Sequence, residues 1–265
     1  MLKALIPIEL NLGSNIALRY ACQKAKLLDI GLQPIHVEEP DDKSHSANSG
    51  WIRRTWESGL EDAGRAEVQR ILDGEKLDCL IVPHPIVSVG DREEEILREL
   101  QRVRYDIFVE GMVSNFNPTV FRNLLRSKLY KRMPCPALIV KNLITSNSVL
   151  LLADARVEPA WLANQFQRMF PKSKVEFDLA LYAADARQRG VDPQELLEII
   201  VRLLEAKGAV PNQTLVLEER PEDSGEELGR YGLVAAVVDR RSSRKSPLME
   251  ALARTPSPLL LFWQS

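Results

Sequence analysis

The chain repeats one order of sequence features twice, and this duplication constrains its fold more than any other feature. Each half opens with an apolar run that ends in a carboxylate, at residues 4–9 and 149–154. Each half closes with a proline-flanked turn, at residues 133–136 and 255–258, followed by another apolar run. Short apolar runs alternate with segments of helical periodicity in between. The pattern predicts two α/β units, each with parallel strands and helices on both faces.

Within the first half, the spacing of apolar residues locates the strands and helices. The run at residues 79–82 predicts a third strand. The two prolines that follow make residues 83–89 an edge or irregular segment, because proline cannot donate to a strand ladder. From Pro118 to Met133 the apolar positions follow a helical period. The loop after residues 105–109 then lies at the carboxyl end of a parallel strand, where open α/β sheets bind ligands.

Composition narrows the class of protein. The chain has 265 residues, 45% of them hydrophobic, which suits one large domain or two of ordinary size. A net charge of -2 gives no reason to expect nucleic acid or an acidic membrane surface as a partner. No apolar stretch approaches the ~20 residues of a membrane helix, and the amino terminus has no signal-peptide pattern. Cys22, Cys79 and Cys135 form no CxxC pair, so we expect buried free thiols and a cytoplasmic protein.

Motifs for catalysis and metal binding are missing from the sequence. It contains no GxSxG elbow, no HExxH and no GxxxxGK[ST]. His36, His45 and His84 lack the spacing and the partners of a metal site. The sequence therefore predicts no enzyme activity, no catalytic residue and no metal.

Four motifs of the first half, in order, are ALIPIE at residues 4–9, IHV at 35–37, YDIFVEG at 105–111 and PCPALIV at 134–140. Their order and spacing resemble those of the universal stress protein family in its tandem, two-domain form. The resemblance implies, in each half, a doubly wound parallel five-stranded sheet with strand order 3-2-1-4-5, of the adenine nucleotide alpha hydrolase-like type.

The polar stretch at residues 142–147 predicts a linker between the halves. This linker divides the chain into a first universal-stress-type domain at residues 1–142 and a second, degenerate one at 148–265. Family members commonly dimerise through their last strand. The resemblance therefore implies an intramolecular pseudo-dimer, with Ala137–Val140 paired to the run from Leu259 to Trp263. A further homodimer of the whole chain is compatible with this interpretation.

Nucleotide-binding members of the family carry G-x-x-G-x(9)-G-[ST] after the fourth strand. Its glycines let backbone N–H groups approach phosphates at a helix amino terminus. Here Gly111 matches the first glycine, Ser114 replaces the second, and residues 123–125 offer no third. In the second half Asp239 replaces the first glycine. The resemblance, together with these departures from the motif, therefore implies a stress-response regulatory or interaction scaffold with protein partners, without a cofactor and without ATP binding of the family type.

Two other interpretations remain open. One is an ATP-, ADP- or AMP-binding protein, with weak or no ATPase activity, that uses the altered loop after the fourth strand. The residues it assigns to the phosphates are Gly111, Ser114 and Asn115, and those near the base and ribose are Ile8, Glu9 and Val37. The other is an anion sensor built on the basic loop that follows Asp239, although a solvated surface is the simpler explanation of that cluster. Its candidate residues are Arg240, Arg241, Arg244 and Lys245.

Overall fold

The strands of both halves lie in one continuous ten-stranded sheet. The computed structural model describes residues 1–39, 50–75, 77–112, 117–171, 175–184, 186, 189–240 and 246–264, and only the backbone of residues 50–57.

The first half alternates strands and helices. In chain order it contains β1 (Leu2–Pro7), α1 (Leu12–Leu28), β2 (Ile30–Glu38), α2 (Gly50–Gly74), β3 (Ile86–Val89), α3 (Arg92–Arg102), β4 (Ile107–Gly111), α4 (Pro118–Arg126), α5 (Lys128–Arg132) and β5 (Ala137–Val140).

The second half repeats this alternation. In chain order it contains β6 (Val149–Asp154), α6 (Pro159–Met169), β7 (Phe177–Tyr182), α7 (Pro193–Glu205), β8 (Thr214–Leu217), α8 (Pro221–Leu228), β9 (Leu233–Asp239), α9 (Pro247–Arg254) and β10 (Leu259–Gln264).

The strand order across the sheet is β3-β2-β1-β4-β5-β10-β9-β6-β7-β8. Each half thus has the predicted order 3-2-1-4-5, with parallel neighbours throughout. The halves meet where β5 and β10 pair antiparallel, with Leu259 opposite Ile139 and Leu261 opposite Ala137. The predicted fold class is confirmed, and the halves pair through the predicted runs.

Apolar layers cover both faces of the sheet. Successive residues of β1 alternate between them, so that Ala4 and Ile6 lie in one layer and Leu5 lies in the other. Strands buried on both faces produce near-continuous apolar runs, as the sequence shows. Because both faces are covered, the polar residues that could bind a ligand gather at the ends of the strands.

The predicted third strand is wrong. Residues 79–82 contribute one isolated bridge, between Ile81 and Leu32. Pairing with β2 resumes only after the two prolines, where Ile86 lies opposite Ile35. The physical reason is the missing proline N–H, which interrupts the ladder. The prediction that residues 83–89 include an edge segment is right, because β3 is the outermost strand of this half.

The helix predicted from Pro118 to Met133 is two helices. It breaks at Ser127, whose backbone is extended with φ -61° and ψ 160°. The Ser127 hydroxyl accepts a hydrogen bond from the Tyr130 N–H and so caps α5. The apolar spacing continues through the break, which explains why periodicity alone did not reveal it.

Two of the three cysteines depart from the expectation of free thiols. Cys22 in α1 and Cys79 before β3 form a disulfide, with their Cα atoms 5.1 Å apart. Their proximity depends on how α1 packs beside the segment before β3, and a sequence separation of 57 gives no indication of it. Cys135 is free and buried, as predicted, and burial raises the pKa of its thiol to about 12.

Within the described residues, no helix has both the length and the apolar character needed to cross a bilayer.

Candidate functional site

The first candidate site is the crevice where β1 and β4 end. Strand order reverses beside β1, and open α/β sheets bind ligands at such a point. Glu9 follows β1, Glu110 lies near the end of β4, and Arg92 begins α3. The Arg92 guanidinium donates to both carboxylates, through Nε to Glu9 and at 2.8 Å to Glu110. One cation of the protein therefore spans the crevice.

Local sequence positions Arg92 at this point. Asp91 caps α3 by accepting from the Glu94 N–H at 2.9 Å, which makes Arg92 the first helical residue. Gly90 precedes the cap with a φ of 155°, a conformation that side chains rarely adopt. The Arg92 N–H also donates to a Glu39 carboxylate oxygen at 3.2 Å. The turn into α3 thus fixes the guanidinium over the ends of β1 and β4.

The charged side chains of the crevice pair with one another. Burial opposes the charge on Arg92, but Glu110 and Glu9 more than offset this and raise its pKa above the ordinary value for arginine. Tyr130 donates its hydroxyl proton to the second oxygen of Glu110. Burial, and then the neighbouring Glu110, raise the pKa of Tyr130 well above its ordinary value. Tyr130 therefore acts here as a neutral donor.

The polar groups around Glu9 also form hydrogen bonds with one another. Asn11 donates to Glu9 at 2.7 Å, and Ser14 accepts from the Glu9 N–H at 3.0 Å. One ring nitrogen of His36 lies 2.7 Å from the Ile8 carbonyl oxygen, and the other lies 3.1 Å from Glu38. These contacts hold β1, the first turn of α1 and β2 together at their ligand-facing ends.

Gly111 closes this end of the sheet by contact between two backbones. A Cβ atom added there would lie 1.9 Å from the carbonyl oxygen of Gly13, far inside van der Waals contact. The amino-terminal turn of α1 therefore packs directly on the end of β4. This close approach accounts for the glycine without any phosphate.

The equivalent crevice of the second half holds a different arginine. Asp154 ends β6. Arg156 donates hydrogen bonds to the Asp154 carboxylate, from the backbone N–H at 2.9 Å and from Nε at 2.8 Å. Gln264 at the end of β10 donates to the Arg156 carbonyl oxygen at 2.8 Å. Its amide oxygen accepts from the Glu158 N–H at 3.2 Å. Here too, a guanidinium of the chain covers the carboxylate at the strand end.

Comparisons with known proteins identify the fold. No family model and no curated protein matches the sequence. Among solved structures, a universal stress protein from Archaeoglobus fulgidus is similar over 100% of this chain and 97% of its own, with a TM-score of 0.67 and 15% identity. A putative universal stress protein from Pseudomonas aeruginosa is similar over 98% of this chain and 92% of its own, with a TM-score of 0.57 and 13% identity. The chain has the tandem universal stress protein fold.

On this universal stress fold, the residues assigned to a nucleotide are partly brought together. Glu9 and Gly111 lie at the same crevice. Ile8 is fully buried beneath it, and Val37 is half-buried in β2. Ser114 and Asn115 lie outside the described residues.

Of the proposed anion-binding residues, Arg240 lies within the described part of the chain. It follows β9 at the junction of the halves and donates to the carbonyl oxygens of Lys131 and Met133, at 3.3 and 2.6 Å. Arg241, Arg244 and Lys245 lie outside the described residues.

Sequence reasoning missed the two arginines that cover the crevices. For Arg92 a signal was present, because a cation at the first position of a helix opposes the helix dipole. Such a residue calls for a carboxylate partner, and Glu110 stood directly before Gly111 in the strand motif. Arg156, two residues beyond Asp154, gave no comparable signal. Across the described ranges, His, Cys, Asp and Glu side chains form no group of three or more that could hold a metal ion.

Proposed function

We propose that this protein is a non-catalytic regulatory or interaction scaffold of a stress response, and that it works with neither crevice occupied by a nucleotide. The observation that carries the proposal is the bridge from Arg92 to Glu9 and Glu110. The bridge lies where an adenine nucleotide would enter a site built on Glu9 and Gly111.

Charge supports the proposal. Hydrogen bonds to charged groups contribute about 1.5–3 kcal/mol each, and a nucleotide that displaced Arg92 would break two of them. It would also leave the carboxylates of Glu9 and Glu110 without their cation in the same crevice as the negatively charged nucleotide. If the bridge stayed in place, the Arg92 guanidinium would occupy the space that the nucleotide needs.

The second crevice supports the same conclusion independently. Its arginine comes from a different element, yet Arg156 covers Asp154 as Arg92 covers Glu9. Both strand ends that would face the ribose are thus neutralised by side chains of the chain itself. The partner we infer is therefore a protein that recognises the surface.

Calorimetric titration of the full chain with ATP, ADP and AMP tests the proposal. We expect no binding heat up to about 1 mM nucleotide and no phosphate release above the buffer rate. Micromolar binding of any of the three would contradict the proposal and favour the nucleotide-binding interpretation. A Glu9→Gln variant, titrated in parallel, would then show whether the nucleotide uses the first crevice.

A further inference from the structure

A cavity of about 240 Å³ lies at the junction of the two halves. We name it the junction pocket. It is lined by α4 and α5 of the first half and by α9 and the ends of β9 and β10 of the second. Its apolar lining includes Phe121 and Leu125 from α4, Val238 from β9, Met249 from α9 and Trp263 from β10. Because both halves line it, the pocket exists only where they are joined.

The charged residues of the junction pocket are mainly basic. Among the described residues, four cations line it, namely Arg122, Arg126, Lys131 and Arg240, against two carboxylates, Asp239 and Glu250. Glu250 is already paired with Arg254 at 3.1 Å. Arg122 is half-buried and forms no hydrogen bond or ion pair with any described residue. An apolar cavity with this charge balance favours an anion that carries an apolar body.

Arg240 is held at the pocket by contacts to both halves. Its guanidinium lies over the Trp263 ring, 4.7 Å from the centroid, and two of its nitrogens donate to carbonyl oxygens of the first half. Its Nε is buried and has no hydrogen-bond partner in the described part of the chain. Burial lowers the pKa of this guanidinium, because its described neighbours do not fully offset the desolvation of its charge. An anion would supply that compensation.

We propose that the junction pocket binds a small organic acid with an aromatic or branched apolar body and a single carboxylate. The body lies against the apolar lining and the carboxylate meets the arginines, whose planar forks match its geometry. The volume is below the ~300–1,000 Å³ typical of drug-sized ligands, which limits the body to about one ring. None of the described lining residues is among those that cover the crevices, so the inference does not rest on the proposed function.

A matched pair of probes tests the inference on the full chain. 4-Phenylbutyrate and its amide share one shape and differ in charge. By calorimetry we expect the acid to bind with a Kd of about 1 mM or tighter and the amide to bind at least about tenfold more weakly. The Arg122→Gln variant should weaken binding of the acid by about tenfold and leave the amide unchanged.

Two further variants complete the experiment. Arg132→Gln, at an exposed position outside the pocket lining, is the control and should bind the acid as the wild type does. Met249→Trp should remove binding by filling the cavity, and a thermal melt of each variant establishes that it is folded. Equal binding of acid and amide, unchanged binding by the folded Arg122→Gln variant, or no binding of the acid at about 5 mM would each overturn the inference.

Discussion

Gly111 lies where the end of β4 touches the first turn of α1. Two glycines make this contact, and they are not equivalent. A Cβ on Gly111 would lie 1.9 Å from the Gly13 carbonyl oxygen, whereas a Cβ on Gly13 would lie 3.0 Å from that of Gly111. The collision at Gly111 is with backbone, which cannot rotate away. This residue therefore sets how closely α1 approaches the sheet.

We expect Gly111→Ala to lower the free energy of unfolding by about 1–3 kcal/mol, the usual cost of overpacking. Denaturant unfolding measures this as a lower midpoint. The control is Gly59→Ala in α2, where an added Cβ meets nothing within 4 Å. That substitution should stabilise the helix by up to about 1 kcal/mol. Equal midpoints for the two variants would contradict the close contact.

Only part of the first crevice could be predicted from the sequence. That Glu9 and Gly111 meet was predictable, because the ends of neighbouring parallel strands lie at one edge of the sheet. The position of Arg92 at the start of a helix indicated that it needs a carboxylate partner but did not identify both partners, since they lie 83 and 18 positions away along the chain. An ion pair at such separations depends on side-chain directions that the sequence pattern does not record.

At the scale of elements, periodicity identified the long helices and the central strands and failed at the edge. β3 has four residues, all half-buried, so it shows neither the continuous apolar run of a central strand nor a clean alternation. The apolar run at 79–82 has more of the sequence pattern of a buried strand than β3 has. It packs instead beside α1, where the disulfide of Cys22 and Cys79 fastens it.

The disulfide should stabilise the first half measurably. It closes a loop with a sequence separation of 57, and such crosslinks contribute about 2–4 kcal/mol. We expect reduction of the full chain with a phosphine to lower the thermal midpoint. The Cys22→Ser/Cys79→Ser double variant should already melt at the lower temperature, with no further change on reduction. A wild-type midpoint that is insensitive to reductant would contradict this expectation.

At the scale of the whole molecule, the halves are joined by more than the pairing of β5 and β10. Lys24 in α1 donates to the Ser146 carbonyl oxygen of the linker at 2.5 Å and to the Asn147 side chain at 3.0 Å. Tyr20 donates to the Gly232 carbonyl oxygen at 2.6 Å. The strand pairing was predictable from the repeated apolar runs and the family resemblance. These polar contacts were not, because lysine and tyrosine on a helical stripe give no indication of a partner in the linker or in the other half.

Lys141 makes the junction sensitive to pH. Its ammonium donates to the carbonyl oxygens of Leu252 and Thr255 at the end of α9, at 2.9 and 2.8 Å. Burial lowers the pKa of Lys141 to about 7, against 10.5 for an ordinary lysine. Below pH 7 both the folded and the unfolded chain carry the proton, and the full penalty of burying the charge applies. Between pH 7 and 10.5 the unfolded chain holds more protons, so the contribution of Lys141 to stability rises with pH.

The Lys141→Met variant isolates this effect. We expect the free energy of unfolding of the wild type, relative to the variant, to rise from pH 7 to pH 9.5 by at most about 1.4 kcal/mol per pH unit. Denaturant unfolding at a series of pH values measures the difference. Lys26→Met, at an exposed position, is the matched control. A difference that stays flat or falls with rising pH would contradict the assignment.

β5 and β10 pair within one chain, and this determines how many copies of each site a molecule carries. Two identical subunits related by a twofold axis would duplicate every site and every mutation. In this chain the two halves differ, so that Arg92 of α3 covers one crevice and Arg156, after β6, covers the other. Each substitution therefore alters one location per molecule. Binding at the junction pocket should accordingly reach a stoichiometry of one ligand per chain.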